Sequence, residues 1–134
     1  MKYHKALILI FTSLLVWSSI NPHDYFTWSL EVFPAIAGLL VLILVYPKFK
    51  FTNLVYTLIL IHSGILMVGG HYTYAEVPFF DYLKEAFNLS RNNYDKVGHF
   101  AQGFIPAMIV RELFIRKNVI QQKGWVNFIV VSVC

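Results

Sequence analysis

The stretch that decides the fold is Gly69-Gly70-His71-Tyr72-Thr73-Tyr74-Ala75-Glu76-Val77-Pro78, which separates two long apolar segments. Further along the chain, Asp95-Lys96-Val97-Gly98-His99-Phe100 opens the next apolar segment. Ionisable groups so close to a hydrocarbon core cost free energy, and they are usually paired or functional. The two stretches therefore predict membrane helices that carry polar groups at their ends.

The composition supports a membrane protein with a single domain. Hydrophobic residues make up 57% of the 134 residues and charged residues 13%, whereas soluble domains have about 25% charged residues. The apolar residues come in blocks rather than at amphipathic spacing, which indicates spanning helices. We predict an all-α polytopic membrane helix bundle of four spanning helices and a partial fifth. The predicted spans are residues 6–20, 28–46, 52–71 and 97–115, and the partial one is 125–134.

The basic residues predict the orientation of these helices. Lysines and arginines flank one set of helix ends, and the acidic residues fall mostly in the intervening loops. By the positive-inside rule, the N-terminus is cytoplasmic and the acidic loops are external. The net charge of +4 is explained by orientation and by anionic membrane lipids. No nucleic-acid partner is therefore expected.

The first apolar segment is expected to be an uncleaved anchor rather than a signal peptide. A signal peptide requires a cleavage site with small residues, and Ser18-Ser19-Ile20-Asn21 does not provide one. The single cysteine, Cys134, excludes an intramolecular disulfide within these residues.

The external segment after Pro78 has the pattern of an amphipathic helix lying in the headgroup plane. Its apolar face is predicted to contain Phe79, Phe80, Leu83 and Phe87, and its polar face Asp81, Lys84, Glu85 and Asn88. The alternative is an ordinary loop with a few aromatic contacts.

Asp95 and His99 are four residues apart, so on a helix they share one face. Gln102 and Pro106 extend this polar stripe. A carboxylate in this position can fix the tautomer of a catalytic or metal-binding imidazole. The alternative is a carboxylate favoured by the helix dipole, with a histidine that bonds to a neighbouring helix.

His71, Glu76 and Glu31 belong to the same external side by this topology. A lone ionised carboxylate at the depth of Glu31 is disfavoured, so Glu31 should be protonated, paired or in a wet cavity. We predict that Glu31, His71 and His99 converge on one pocket, and that His62 lies outside it. The candidate catalytic residues are His71, Glu76, Asp95 and His99, and the candidate binding residues are Glu31, Tyr72, Tyr74 and Gln102.

These candidate residues do not determine a cofactor. Imidazole and carboxylate ligands suit divalent metals such as zinc. However, the spacing of His71 and Glu76 matches no established metal signature, and the sequence has no HExxH motif. A divalent metal is therefore a hypothesis that rests on the ligand types alone, and the sequence does not identify the metal.

Three blocks of the sequence resemble the bacterial YjdF family of inner-membrane proteins. They are Asn21-Pro22-His23-Asp24-Tyr25-Phe26-Thr27-Trp28, the segment 67–78 and the segment 94–103. The resemblance covers essentially the whole chain and implies a location in the bacterial inner membrane, without an assigned activity. Members of the family are longer, so this chain is expected to be truncated at its C-terminus relative to them.

Asp95-Lys96 followed by His99-Phe100 also resembles the Asp-Lys-x-x-His-Phe block of VanZ-like membrane proteins. This resemblance implies a role at lipid or lipid-linked components of the cell envelope. The leading hypothesis is a multi-pass protein that binds or modifies such a component at the outer leaflet. A transporter or channel component and a structural or assembly subunit are the alternatives. Whether the protein is an enzyme, and its oligomeric state, are left open.

Overall fold

The fold of the chain was obtained as a computed structural model that describes residues 1–74, 76–119 and 121–133. These residues form six α-helices and no strand, so the predicted all-α membrane bundle is confirmed. Each predicted span overlaps one of the five longest helices, and Cys134 at the end of the partial span lies outside the described residues. The helices are α1 Lys2–Ser19, α2 Tyr25–Val45, α3 Asn53–Tyr72, α4 Pro78–Ala86, α5 Tyr94–Lys117 and α6 Lys123–Val133.

Helices α2 and α3 are long and apolar enough to cross a membrane, by length and composition. The 21 residues of α2 rise about 32 Å, close to the thickness of the hydrocarbon core. In its most apolar stretch, 11% of the residues are buried inside the bundle. Most apolar side chains of α2 therefore face the surroundings, as lipid-facing side chains do. The count of four crossings stays a prediction.

The third helix is the centre of the bundle. It packs against α1, α2 and α5, and α6 packs against α5. Met67 on α3 is fully buried, and it forms a core cluster with Phe11 of α1 and with Val32 and Ala35 of α2. Both N-terminal helices are thus held through the apolar face of α3.

The helices alternate in direction, so their ends gather at two sides of the bundle. At one side, which we name the basic end (residues 1–5, 46–53 and 111–117), the Glu112 carboxylate accepts hydrogen bonds from three donors. These are the main-chain N–H of Thr52 at 2.7 Å, its hydroxyl at 2.9 Å and the guanidinium of Arg116 at 2.7 Å. Arg116 also donates to the carbonyl of Lys50. The opposite side, which we name the loop end, comprises residues 18–25, 69–74 and 76–95.

Side-chain caps start the two most apolar helices. Asp24 accepts hydrogen bonds from the Thr27 hydroxyl at 2.7 Å and the Thr27 N–H at 3.0 Å. These bonds hold the pKa of Asp24 below its ordinary value. The cap is therefore ionised at neutral pH, and its contribution to stability is lost as the pH falls through the lowered pKa. Thr52 caps α3 in the same way by accepting from the N–H of Val55.

The short helix α4 is present where the sequence predicted it, and two adjacent side chains attach it to the bundle. Phe80 lies 5.2 Å from the ring of Tyr94, and Asp81 accepts a hydrogen bond from Asn92 at 3.0 Å. Both side chains therefore hold α4 against the start of α5. Phe79, which was predicted to share a face with Phe80, is 64% exposed. Consecutive helical residues lie about 100° apart, so the bundle contact of Phe80 turns Phe79 outward.

We expect Glu112→Gln to lower the free energy of unfolding by about 1–3 kcal/mol, because it removes the charged acceptor of several hydrogen bonds. Thermal unfolding in detergent measures this loss. Glu85→Gln makes the same charge change on an exposed position of α4 and should stay within about 0.5 kcal/mol of the parent. Equal effects of the two substitutions would contradict the role of Glu112.

Candidate functional site

The loop end is built around a sharp reversal of the chain after α3. Thr73, the residue that ends this helix, has φ 63° and ψ 150°, a backbone conformation that β-branched residues rarely adopt. The reversal lays the ring of Tyr74 between α3 and α5. A Cβ atom added at Gly69 would lie 2.6 Å from Tyr74 Cζ, and one added at Gly98 would lie 2.9 Å from Tyr74 Cε1. Two glycines thus form a slot that fits the tyrosine ring.

The second helix closes this slot with Glu31. Burial raises the pKa of Tyr74 well above its ordinary value, and the nearby Glu31 carboxylate and its hydrogen bond with the tyrosine hydroxyl add to the shift. The hydroxyl therefore stays protonated and donates to Glu31. A Cβ added at Gly70 would lie 3.2 Å from Glu31 Cβ, so this glycine lets α2 approach. The partner that a carboxylate at this depth requires is thus Tyr74.

His71 faces α1 rather than the slot. Its Nδ1 lies 3.0 Å from the carbonyl oxygen of Ser18, and a carbonyl can only accept, so Nδ1 carries the hydrogen. The neutral imidazole then has its lone pair on Nε2. The ring lies 4.6 Å from that of Trp17, tilted by 32°, and 4.6 Å from that of Tyr72. A main-chain carbonyl therefore orients this histidine.

The backbone of a second histidine, His23, is bonded to that of His71. The main-chain N–H of His23 donates to the main-chain carbonyl of His71 at 2.9 Å, and His23 Nε2 lies 3.5 Å from Glu76 Oε2. Both side chains of this pair are about 60% exposed, and such a surface pair adds little stability. The sequence did not point to His23. The turn at residues 21–24 has no pattern that indicates a contact with His71, which lies far along the chain.

The predicted pairing of Asp95 with His99 is not formed. Asp95 Oδ2 accepts from Arg91 at 3.0 Å, and its Oδ1 is buried without a hydrogen-bond partner. Arg91 lies one helical turn away, and its guanidinium is a permanently charged donor, stronger than a neutral imidazole. His99 and Gln102 are exposed on α5, whereas Gly98 of the same helix faces the tyrosine slot.

The predicted convergence of Glu31, His71 and His99 is not supported by their contacts. Glu31 bonds to Tyr74, His71 bonds to α1, and His99 is exposed. His62 is half-buried on α3 and takes no part in these contacts. Within residues 1–74, 76–119 and 121–133, no three His, Cys, Asp or Glu side chains lie close enough to hold a metal ion.

We expect Gly69→Ala to destabilise the protein by about 1–3 kcal/mol, because the added methyl group overlaps the ring of Tyr74. Gly38→Ala is the matched control, since nothing lies within 4 Å of a Cβ added there. It should leave stability unchanged or raise it by up to about 1 kcal/mol through helix propensity. In a Tyr74→Ala background, Gly69→Ala should cost nothing. Thermal unfolding in detergent measures all three effects, and a penalty that persists without Tyr74 would refute the slot.

Comparisons with known proteins agree with a membrane protein. Residues 3–134 match the family described as "Predicted membrane protein (DUF2238)". The chain is 43% identical over 125 residues to the inner membrane protein YjdF of Escherichia coli (strain K12). The aligned part is 93% of this chain and 60% of that relative, so the chain spans less than two thirds of the relative's length. No solved structure matches the chain. The resemblance seen in the sequence is thereby confirmed, and the chain belongs to the DUF2238 family of predicted membrane proteins.

Proposed function

We propose that the protein crosses the bacterial inner membrane several times and binds the polar headgroup of a lipid or lipid-linked envelope component at the outer leaflet. The name of its relative from Escherichia coli supports the inner membrane. The clustering of Lys50, Arg116 and the N-terminal lysines at the basic end supports a cytoplasmic position for that end. The loop end then faces outward, and α1, α2, α3 and α5 cross the bilayer.

The observation that carries the proposal is the fixed orientation of His71 beside a tryptophan at the loop end. Trp17 is 39% exposed, as expected for an aromatic ring at headgroup level. With Nδ1 bonded to Ser18, the Nε2 atom of His71 accepts a hydrogen bond from a hydroxyl or, when protonated, donates to a phosphate. Val16 and Ile20 line a shallow depression beside Trp17, where the apolar part of a ligand would lie.

Further residues complete this headgroup site. We place Tyr72, His23 and Glu76 around His71, because each contacts it or contacts a residue that does. If the ligand is also modified chemically, His71 Nε2 is the atom that we propose to accept the proton. We assign Asp95, His99 and Gln102 no role there, since the contacts described for His71 are with Ser18, Trp17 and Tyr72.

A transporter or channel component is the less favoured function. Such a protein needs a continuous polar path between the two ends of the bundle. The centre of the bundle is instead filled by the apolar cluster of Phe11, Val32, Ala35 and Met67. We find no specific contact that favours a purely structural subunit.

The orientation is tested with single cysteines. In a Cys134→Ser background, Asp81→Cys and Lys117→Cys should react with an impermeant thiol reagent from opposite sides of the inner membrane. We expect labelling of Asp81→Cys in intact spheroplasts and of Lys117→Cys in inverted vesicles, because the basic end should be cytoplasmic. Labelling of both positions from the same side would overturn the proposed topology.

The headgroup site is tested with farnesyl phosphate as a probe and farnesol as its uncharged counterpart. We expect farnesyl phosphate to bind the purified protein more tightly than farnesol in calorimetric titrations. His71→Gln should weaken binding of the phosphate by about tenfold, the factor expected when one hydrogen bond to a charged group is lost. His62→Gln is the matched control and should bind as the parent does. Equal affinities of His71→Gln and the parent would refute the role of His71.

A further inference from the structure

A cavity of about 280 Å³ lies between α1 and α2 near the basic end, far from the headgroup site. We name it the α1–α2 groove. One face of each of the segments 1–11, 35–46 and 56–63 lines it, and the last of these, on α3, forms its floor. At the loop end, by contrast, Trp28 donates to the Ser18 hydroxyl and Tyr25 donates to the Ser19 carbonyl, each at 3.2 Å. The two helices are therefore joined by hydrogen bonds at the loop end. Towards the basic end, where the rings of His4 and Tyr46 lie 5.6 Å apart, they leave a space that both helices line.

The dimensions of the groove fit one acyl chain. Its lining on α1 runs from Met1 to Phe11, a rise of about 15 Å, which is half of a hydrocarbon core of about 30 Å. The groove is thus as deep as one leaflet. Its volume is just below the range of about 300–1,000 Å³ that is usual for ligand pockets. A helix with its side chains is about 10 Å wide and would need more room.

The chemistry of the groove changes from its closed end to its mouth. Phe11 and Ala35 close it with apolar side chains, whereas Lys5 lines it near the basic end. Lys50 adds a second cation there, because its Nζ lies 5.0 Å from the ring centre of Tyr46, another lining residue. The described lining contains no carboxylate. Lysines at this level of a membrane attract anionic headgroups.

We infer that the α1–α2 groove holds one acyl chain of an anionic phospholipid from the leaflet at the basic end, with the lipid phosphate beside Lys5. The apolar lining is matched to the chain, and the charge at the mouth is matched to the phosphate. This second lipid site does not depend on the headgroup site at the loop end, and it shares no residue with it.

Native mass spectrometry of the purified protein tests the groove. The probes are phosphatidylglycerol and phosphatidylcholine with the same acyl chains. We expect the parent to retain phosphatidylglycerol about fivefold more often, the factor given by one lysine near an anionic headgroup. Ile43→Trp places a large ring in the groove and should abolish retention of both lipids. Leu44→Trp is the control, because Leu44 is a 75% exposed neighbour that does not line the groove.

A second pair of variants tests the groove independently, so that the test does not depend on the folding of Ile43→Trp. Ile8→Trp should block the groove from α1, and Leu9→Trp, on a 68% exposed neighbour, should not. Equal lipid retention by blocked and control variants would overturn the inference. The inference would also fail if the spectra showed the mass of a second copy of the chain, or of another protein, in place of the lipid.

The charge at the mouth is tested separately. Lys5→Gln should remove the preference for phosphatidylglycerol, while binding of phosphatidylcholine is unchanged. Lys48→Gln makes the same charge change at the basic end without touching the groove, and it should keep the preference. An equal loss in both variants would show a general surface attraction and refute the site. None of these variants alters His71, so failure here leaves the proposed function untouched.

Discussion

The hydrogen bond between Tyr74 and Glu31 is the constraint on which the loop end depends. A carboxylate among membrane helices must find a partner, and here the partner is reached by reversing the chain at Thr73 and seating the tyrosine ring between two glycines. The ring thereby touches α3 and α5 while its hydroxyl bonds to α2. The ring of Tyr94 on α5 lies 5.6 Å from the ring of Tyr74. The hydroxyl of Tyr94 donates to the carbonyl of Ile65 on α3. Three helices are thus joined by two tyrosines.

The fold class could be predicted from the sequence because hydrophobic blocks, turn residues and the distribution of lysines are local signals. Glu31 was also expected to be paired, since its depth in the membrane requires it. The partner could not be identified, because Tyr74 reaches Glu31 only through the reversal at Thr73. A positive φ at a threonine has no signature in a single sequence.

The candidate site, too, could be predicted from the sequence only in part. His71 was singled out from its position at the end of an apolar segment, and the structure supports its place at the loop end. Its orienting group is a main-chain carbonyl of Ser18, which every residue type provides, so no pattern could reveal it. The spacing of Asp95 and His99 suggested a pair, but Arg91 lies at the same spacing on the other side and carries a full charge. Spacing alone cannot rank competing partners.

The central place of α3 has a consequence for biogenesis. The first two helices emerge from the ribosome before the helix that holds them together exists. Without α3, the two helices are joined by the hydrogen bonds of Trp28 and Tyr25 to α1 at the loop end and by the ring contact of His4 with Tyr46 at the basic end. These contacts leave the N-terminal hairpin loosely packed, because the core cluster between its helices needs Met67 of α3. Insertion of α3 completes the apolar core, and the slot for Tyr74 closes last, when α5 arrives with Gly98. The order of the helices along the chain thus makes α3 the element that completes the packing of the two helices before it.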